Sequence, residues 1–168
     1  MLLQISEPNG PNENSRARKR GLGIDLGTTN SLVAIKMTDV AHVLTDEEGQ
    51  ALLPSVVNFG DEVTVGHAAL ELAVVDPEST IVSVTRLMGR SRDDLNKDQQ
   101  RGLIDADRLA FATRQGHKTP VEVSSEILNV LAGRARTLLE AEEDGVVLTV
   151  PAYFDDRQRQ ATRQAAEL

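Results

Sequence analysis

Cysteine is absent from the 168-residue sequence, which excludes disulfides and thiolate metal sites within this chain. Aromatic residues make up only 2% of the chain, so we expect its core to be aliphatic. No apolar run approaches the roughly 20 residues that a membrane-spanning helix needs. The opening MLLQIS is too short for the apolar region of a secretory signal, so a cytoplasmic location is the default expectation.

Basic residues are fewer than acidic ones: the chain has 18 Lys and Arg and 26 Asp and Glu, which gives a formal net charge of −8. Such acidity disfavours nonspecific binding to nucleic acid. The basic run from Arg16 to Arg20 follows a stretch rich in Pro and Asn, so we predict that residues 1–20 form a flexible tail. The remaining residues, 21–168, are enough for one domain with a buried core.

Two common phosphate-binding motifs are also missing. The pattern G-x-x-x-x-G-K-[ST] occurs nowhere in the sequence. Gly21, Gly23 and Gly27 are spaced G-x-G-x-x-x-G, and a strand-like run follows them rather than a helix. The sequence therefore argues against both a P-loop and a dinucleotide-binding fingerprint.

The stretch from Leu22 to Ala34, LGIDLGTTNSLVA, has the pattern of a strand, a polar turn and a second strand. In its first part apolar residues alternate with Gly23 and Asp25, which is the period-two signal of a strand. Turn-forming residues follow at 27–30, and a second apolar run with β-branched members comes next. We therefore predict two strands joined by a tight polar loop.

A phosphate-binding site is one interpretation of this loop. Gly27 would let backbone N–H groups approach a ligand, and Thr28 and Thr29 add two hydroxyl donors. Asp25, at the end of the first strand, could hold a hydrated Mg²⁺, since this ion uses one or two carboxylates besides phosphate oxygens. The other interpretation is a plain β-hairpin with a polar tip, and the residues of this stretch leave both open.

Weaker patterns cover the middle of the chain. Short strands are predicted at Ala41–Leu44, Ser55–Phe59 and Val63–Val65, and a short helix is predicted after Gly66. Residues 80–88 have apolar residues at helical spacing. Residues 93–116 have no clean periodicity, and we interpret them as a loop with helical pieces.

Two helices and one strand are predicted towards the end of the sequence. The first helix spans Ser124–Ala141 with Ser124 as its N-cap. The apolar run Gly145–Val150 is typical of a strand buried on both faces. The second helix begins near Asp155, with Gln158 as its capping-box partner. It reaches the last residue without a stop signal, so we expect a fragment of a longer protein.

Four long motifs resemble the seventy-kilodalton heat-shock chaperones, which belong to the actin-like ATPase superfamily. The motifs are GIDLGTTNS at 23–31, LPSVV at 53–57, RLMGRS at 86–91 and DGVVLTVPAYFDDRQRQAT at 144–162. The opening MLLQISEP is similar to the branch of the family that serves iron–sulfur cluster assembly. The resemblance implies an α/β fold: an actin-like, ribonuclease-H-like ATPase lobe whose mixed β-sheet is flanked by helices. Residues 21–168 would be the first lobe of a nucleotide-binding domain, truncated at its C-terminus.

The resemblance also implies cofactors, partners and site residues. ATP and Mg²⁺ are the expected cofactors, with Asp25 on the metal side. The expected partners are a J-domain cochaperone and an iron–sulfur scaffold protein, and a chain without cysteine must serve cluster assembly through such a protein. The matching positions are Gly27, Thr28, Thr29 and Asn30 in the first phosphate loop, and Pro151, Tyr153 and Arg159 in the segment that switches conformation with the nucleotide state.

Thr85 is the position where the chain departs from the family pattern. In SVTRLMGR the family has a lysine at this position, and the resemblance implies that this lysine contacts the γ-phosphate. Positive groups aimed at a transferring phosphoryl group are a main source of catalysis, and Thr85 is neutral. We therefore expect the 168-residue chain alone to hydrolyse ATP no faster than background. The alternatives are a catalytically inactive lobe that docks other proteins and a sugar kinase of the same superfamily, which the motifs favour least.

Overall fold

A computed structural model of the chain describes residues 20–37, 40–96, 103–105, 109–136 and 146–168. The strands are β1 (Arg20–Asp25), β2 (Asn30–Met37), β3 (Val40–Val43), β4 (Leu53–Pro54), β5 (Val56–Phe59), β6 (Val63–Val65), β7 (Thr80–Val82), β8 (Leu103–Asp105), β9 (Ala110–Thr113), β10 (Gly116–Lys118) and β11 (Val146–Thr149). The helices are α1 (His67–Leu72), α2 (Pro120–Arg136) and α3 (Asp156–Glu167), with 3-10 helices at Val84–Leu87 and Arg92–Asp94.

The main sheet is mixed and has β1 near its centre. β1 pairs in parallel with β11 and antiparallel with β2, and β2 pairs antiparallel with β3 and β4. Two smaller antiparallel sheets have the orders β6-β5-β7 and β10-β9-β8. The expected combination of a mixed sheet and helices is therefore confirmed.

The core lies between the main sheet and α2. Leu22 and Ile24 are buried on β1, as their alternation with Gly23 predicted. Helix α2 packs on β1, β2 and β5 and also contacts α3. Its buried apolar side chains are Val123, Ile127, Leu128, Leu131 and Ala135. Each fully buried large aliphatic side chain stabilises the fold by about 1.5–3 kcal/mol. The core is mostly aliphatic, as the composition predicted.

Helix α2 begins four residues earlier than predicted, at Pro120. Thr119 precedes it, and a carboxylate oxygen of Glu122 accepts the Thr119 N–H at 2.7 Å while the Thr119 hydroxyl accepts the Glu122 N–H at 3.3 Å. This is a capping box with proline at the first helical position, and it outcompetes Ser124 as a start signal. Ser124 is buried inside the helix, where its hydroxyl lies 3.3 Å from the Met88 sulfur. The predicted N-cap was therefore wrong.

Strand β11 lies at the edge of the described part of the main sheet, so the prediction of burial on both faces was wrong. Val146 is buried, whereas Val147 is 62% exposed and Thr149 is exposed as well. The prediction failed because the apolar content of the run does not show which faces of the strand are covered. Parallel strands give such runs when both faces are covered, and here one face is open.

The described residues between 93 and 116 are mostly strands and not the predicted loop with helical pieces, and residues 97–102 and 106–108 lie outside the described part of the chain. The helical part is the 3-10 helix that ends at Asp94, and β8, β9 and β10 follow it. Strands of three or four residues are too short to show a period, and Gly116, with φ +87°, closes the β9–β10 turn. Their sheet packs on a small apolar cluster formed by Leu87, Leu95 and Leu109.

Residues 80–88 divide into two elements, where the sequence showed one helical spacing. The first three residues form β7, which pairs with β5. Ser83 then adopts a left-handed conformation with φ 53°, and the 3-10 helix that follows buries Val84 and Leu87. The left-handed residue therefore interrupts the helical spacing of apolar residues, and no glycine or proline in residues 80–88 predicts this interruption.

Several other predictions are confirmed. The short strands β3, β5 and β6 and the helix after Gly66 occur where the sequence placed them. Asp155 caps α3, and its carboxylate accepts the Gln158 N–H at 2.9 Å while Gln158 accepts the Asp155 N–H at 3.1 Å. The predicted tail, apart from Arg20 in β1, lies outside the described residues. None of the helices that the structure describes is long and apolar enough to cross a membrane.

Candidate functional site

The connection between β1 and β2 is the tight polar loop that the sequence predicted. β1 ends at Asp25 and β2 begins at Asn30, so four residues make the turn. Leu26 is buried and holds the start of the loop in the core. Asp25, Thr29 and Asn30 are exposed. The loop therefore presents a carboxylate, a hydroxyl and an amide to solvent.

Gly27 is required by the path of the backbone. A Cβ atom at this position would lie 2.1 Å from the carbonyl oxygen of Asn30, closer than any real contact allows. The Gly27 N–H donates to the Ser31 hydroxyl oxygen at 3.2 Å. This amide therefore bonds within the protein, and the remaining loop groups are the ones that can meet a ligand.

Two serines that the sequence analysis did not select hold this loop. Ser55 lies between β4 and β5, and its hydroxyl donates to the Gly27 carbonyl at 2.9 Å. The hydroxyls of Ser31 and Ser55 are 2.9 Å apart, and the Ser55 N–H donates to the Thr29 carbonyl at 2.8 Å. Each serine is 1% exposed. Their signal in the sequence is weak: a single serine beside apolar residues in SLVAI and LPSVV.

Thr85 lies against the loop, although 57 residues separate it from Thr28. The 3-10 helix carries Thr85 to a buried position where its hydroxyl donates to the Thr28 hydroxyl oxygen at 3.0 Å. Arg86, the next residue, is exposed. The structure therefore brings the Thr85 side chain to the loop as a hydrogen-bond partner of Thr28.

Asp25 is the carboxylate nearest the loop in sequence, and β11 holds one of its oxygens. The Thr149 hydroxyl donates to Asp25 Oδ1 at 2.7 Å, which leaves Oδ2 for another ligand. Among the described residues, no group of three or more His, Cys, Asp or Glu could hold a metal ion. Mg²⁺ keeps most of its waters and takes few protein carboxylates when phosphates are present. A single exposed aspartate beside a polar loop fits that mode of binding.

Of the residues predicted to form the conformational switch, Pro151 and Tyr153 lie in the β11–α3 connection and Arg159 lies in the first turn of α3. The Pro151 carbonyl accepts the Phe154 N–H at 3.0 Å, and Arg159 Nε donates to the Phe154 carbonyl at 3.2 Å. Tyr153 is 72% exposed and its ring meets the Phe154 ring edge-on at 5.6 Å. Each of the three therefore contacts Phe154. The Thr149–Asp25 bond joins the end of β11 to the end of β1, where the loop begins.

The structure therefore combines a mixed sheet with a polar loop at the end of one of its inner strands, β1. The family described as Hsp70 protein matches residues 21–168. The match covers most of the chain, and the chain therefore belongs to the Hsp70 family. Proteins of this family bind nucleotide.

Several curated relatives carry the name chaperone protein HscA homolog, and three of them illustrate the similarity. The one from Acinetobacter baumannii (strain ATCC 17978) is 48% identical over 99% of this chain and 27% of its own length. Those from Vibrio cholerae (strain M66-2) and Vibrio vulnificus (strain YJ016) are 47% and 48% identical, over 99% of this chain and 28% of theirs. The family resemblance drawn from the sequence is confirmed. The chain spans about a quarter of the length of the curated relatives it matches.

Proposed function

We propose that residues 21–168 are the first lobe of an actin-like nucleotide-binding domain in an HscA-type chaperone, and that the β1–β2 loop binds the phosphates of ATP. The observation that carries this proposal is the loop itself. Its Gly27 and Thr28 are bonded to buried side chains, while Thr29 and Asn30 face solvent. A loop that is fixed on its inner side and polar on its outer side is suited to hold an anion without reorganising.

Individual residues have separate tasks in this proposal. Thr28 accepts the Thr85 proton, so its own hydroxyl proton is available for a phosphate oxygen. Thr29 and Asn30 supply further donors, and Asp25 Oδ2 would hold a water of the Mg²⁺ ion. When bound, Mg²⁺ neutralises charge on the phosphates. The chain's own contribution is to position those phosphates.

Hydrolysis is expected to be weak in this chain. Stabilising a transferring phosphoryl group takes positive charge close to it, and Thr85 offers a hydroxyl. That hydroxyl is already used on Thr28. A lobe that docks proteins without any chemistry is the alternative, and it predicts no response to nucleotide.

The proposal extends to the longer protein that these relatives represent. There the lobe would work with a J-domain cochaperone and an iron–sulfur scaffold protein in the cytoplasm, assisting the maturation of iron–sulfur proteins. Pro151, Tyr153 and Arg159 would relay the nucleotide state from the loop to the rest of that protein. The support is the similarity to HscA homologues together with the Thr149–Asp25 bond, which links β11 to the loop.

The direct test is a titration of the ¹⁵N-labelled 168-residue chain with MgATP, followed by NMR of the backbone amides. We expect the signals of Thr28, Thr29 and Asn30 to move, and to move less when Mg²⁺ is omitted. Adenosine is the control, because it lacks phosphates. Asp25→Asn should remove the Mg²⁺ dependence and leave the fold intact. Loop signals that stay unmoved at millimolar MgATP would contradict the proposal.

A further inference from the structure

Ser31 and Ser55 enclose Gly27 from two separate segments of the chain. Ser31 is the second residue of β2, and Ser55 follows β4, which pairs with the start of β2. Both side chains are 1% exposed, so a ligand on the outer side of the loop cannot touch them. Any effect of these serines on a ligand must therefore act through the loop backbone.

The direction of every hydrogen bond in this group follows from counting protons. The Gly27 carbonyl can only accept, so the single hydroxyl proton of Ser55 goes to it. The hydroxyl of Ser31 then has to donate to Ser55 Oγ. Ser31 Oγ accepts the Gly27 N–H in turn. The bonds form a closed ring that starts at the N–H of Gly27 and returns to its carbonyl, which we name the serine ring.

The serine ring satisfies both backbone groups of the one residue in the loop that cannot carry a side chain. A chain of hydrogen bonds in a buried place strengthens its members, and a member left without a partner is costly. The Ser55 N–H also holds the Thr29 carbonyl, so the same residue fixes the loop at two points. The loop conformation is therefore set by residues that lie beneath it.

We propose that Ser31 and Ser55 are positioning residues that preset the loop for phosphate, an inference that rests on the proposed function above. Without the serine ring, Gly27 would turn its N–H and carbonyl toward solvent, and Thr28 and Thr29 would lose their common orientation. The ligand would then have to order the loop on binding. Preorganisation of this kind raises the affinity for phosphate, because the free energy of binding is not used to order the loop.

The first experiment needs no ligand. Hydrogen exchange of the Gly27 amide is compared by NMR in the wild-type chain, Ser31→Ala, Ser55→Ala and the double variant. We expect exchange to be about tenfold faster in each single variant. The double variant should differ little from either, because one break already opens the ring. Ser125→Ala is the matched control, since this buried hydroxyl donates within α2, to the Glu122 carbonyl.

The second experiment titrates the same proteins with magnesium tripolyphosphate as the phosphate probe. We expect Ser31→Ala and Ser55→Ala to bind about tenfold more weakly than the wild type, again without additivity, and Ser125→Ala to bind as the wild type does. An unchanged hydrogen-exchange rate of the Gly27 amide in Ser55→Ala would contradict the serine ring. Faster exchange with unchanged probe affinity would overturn the positioning role.

A wild-type chain that binds neither the probe nor MgATP would contradict the proposed function and the positioning role together. The exchange measurement would still decide whether the serine ring holds Gly27. The two failures are thus distinguishable, because one is read from the wild type with ligand and the other from the variants without it.

Discussion

The β1–β2 loop and the β11–α3 turn are both short polar connections, and they are held in opposite ways. The loop depends on Ser55 and Thr85, which are 28 and 57 residues away from their partners. The turn depends on neighbours, since Asp155 and Gln158 cap each other and Pro151 bonds Phe154. A connection held from a distance can respond to a ligand by moving several segments at once. A connection held locally depends on its own residues for its conformation.

The largest effect is expected on the rate of ATP hydrolysis when a positive charge is placed beside the β1–β2 loop at position 85. In a longer protein that carries the second lobe, Thr85→Lys should raise the single-turnover rate of ATP hydrolysis by about 10²-fold, the usual value of one well-placed electrostatic group. Thr85→Ser retains the hydroxyl and should leave the rate unchanged. If lysine also leaves it unchanged, Thr85 does not face the γ-phosphate.

The loop itself should break when Gly27 is replaced. Gly27→Ala forces a Cβ onto the Asn30 carbonyl, so we expect a loss of about 1–3 kcal/mol in unfolding free energy and no loop response to MgATP. Gly133→Ala is the control, because at that helical site the added Cβ would have no heavy atom within 4 Å apart from the backbone of its own helix and its chain neighbours. It should stabilise the chain by about 0.5–1 kcal/mol. Urea denaturation measures both.

A substitution in the β11–α3 turn should lower the unfolding free energy of the chain without affecting the β1–β2 loop. Asp155→Ala removes the N-cap of α3, which costs about 1 kcal/mol in unfolding free energy. Asp156→Ala, one residue further on, removes an exposed acid that does not serve as the N-cap, and should cost less. Both variants should retain the loop response to MgATP. A weakened response in Asp155→Ala would show that the turn and the loop are coupled more tightly than their separate supports suggest.

The smallest effect is a pH dependence at the start of α2. Hydrogen bonds from the Thr119 N–H and hydroxyl, together with nearby Lys118, lower the pKa of Glu122 below its ordinary 4.5, against the opposing effect of burial. A lowered pKa in the folded state means that the stabilisation is present above the unfolded pKa and is lost as the pH falls through the folded one.

Glu122→Gln keeps a capping-box side chain but cannot ionise. Between about pH 6 and pH 3, its unfolding free energy should therefore fall less steeply than that of the wild type. Glu126→Gln, one turn further along α2, is the matched control. Parallel pH profiles for the wild type and Glu122→Gln would show that the Thr119 bonds do not favour the carboxylate.

The difference between the two connections also explains what the sequence could predict. Asp155 and Gln158 are three residues apart, so their pattern identified the start of α3 without knowledge of the fold. Ser31 and Ser55 gave no such signal, because their importance depends on β4 pairing with β2. The family motifs pointed to Thr28 and Thr85 separately, and the hydrogen bond between them became visible with the structure.

The errors in the prediction have the same origin. β8, β9 and β10 are too short for a period to appear, and Leu103 and Phe111 of these strands pack on the apolar cluster that Leu87, Leu95 and Leu109 form. The β11 run was interpreted from its apolar content, whereas its exposure depends on which elements cover it. At the start of α2, Thr119 and Glu122 form a stronger local signal than Ser124, because their side chains complete a capping box. That signal is present in the sequence, since the two residues are three positions apart.

The open side of β11 has a practical consequence for the purified chain. Val147 is exposed there, and among the described strands β1 alone pairs with β11. Strand edges with exposed apolar residues are templates for pairing between molecules. Concentrated samples should therefore self-associate through this edge, and sedimentation velocity over a range of concentrations would reveal it. Val147→Lys should keep the chain monomeric, and would make the spectra proposed above easier to record.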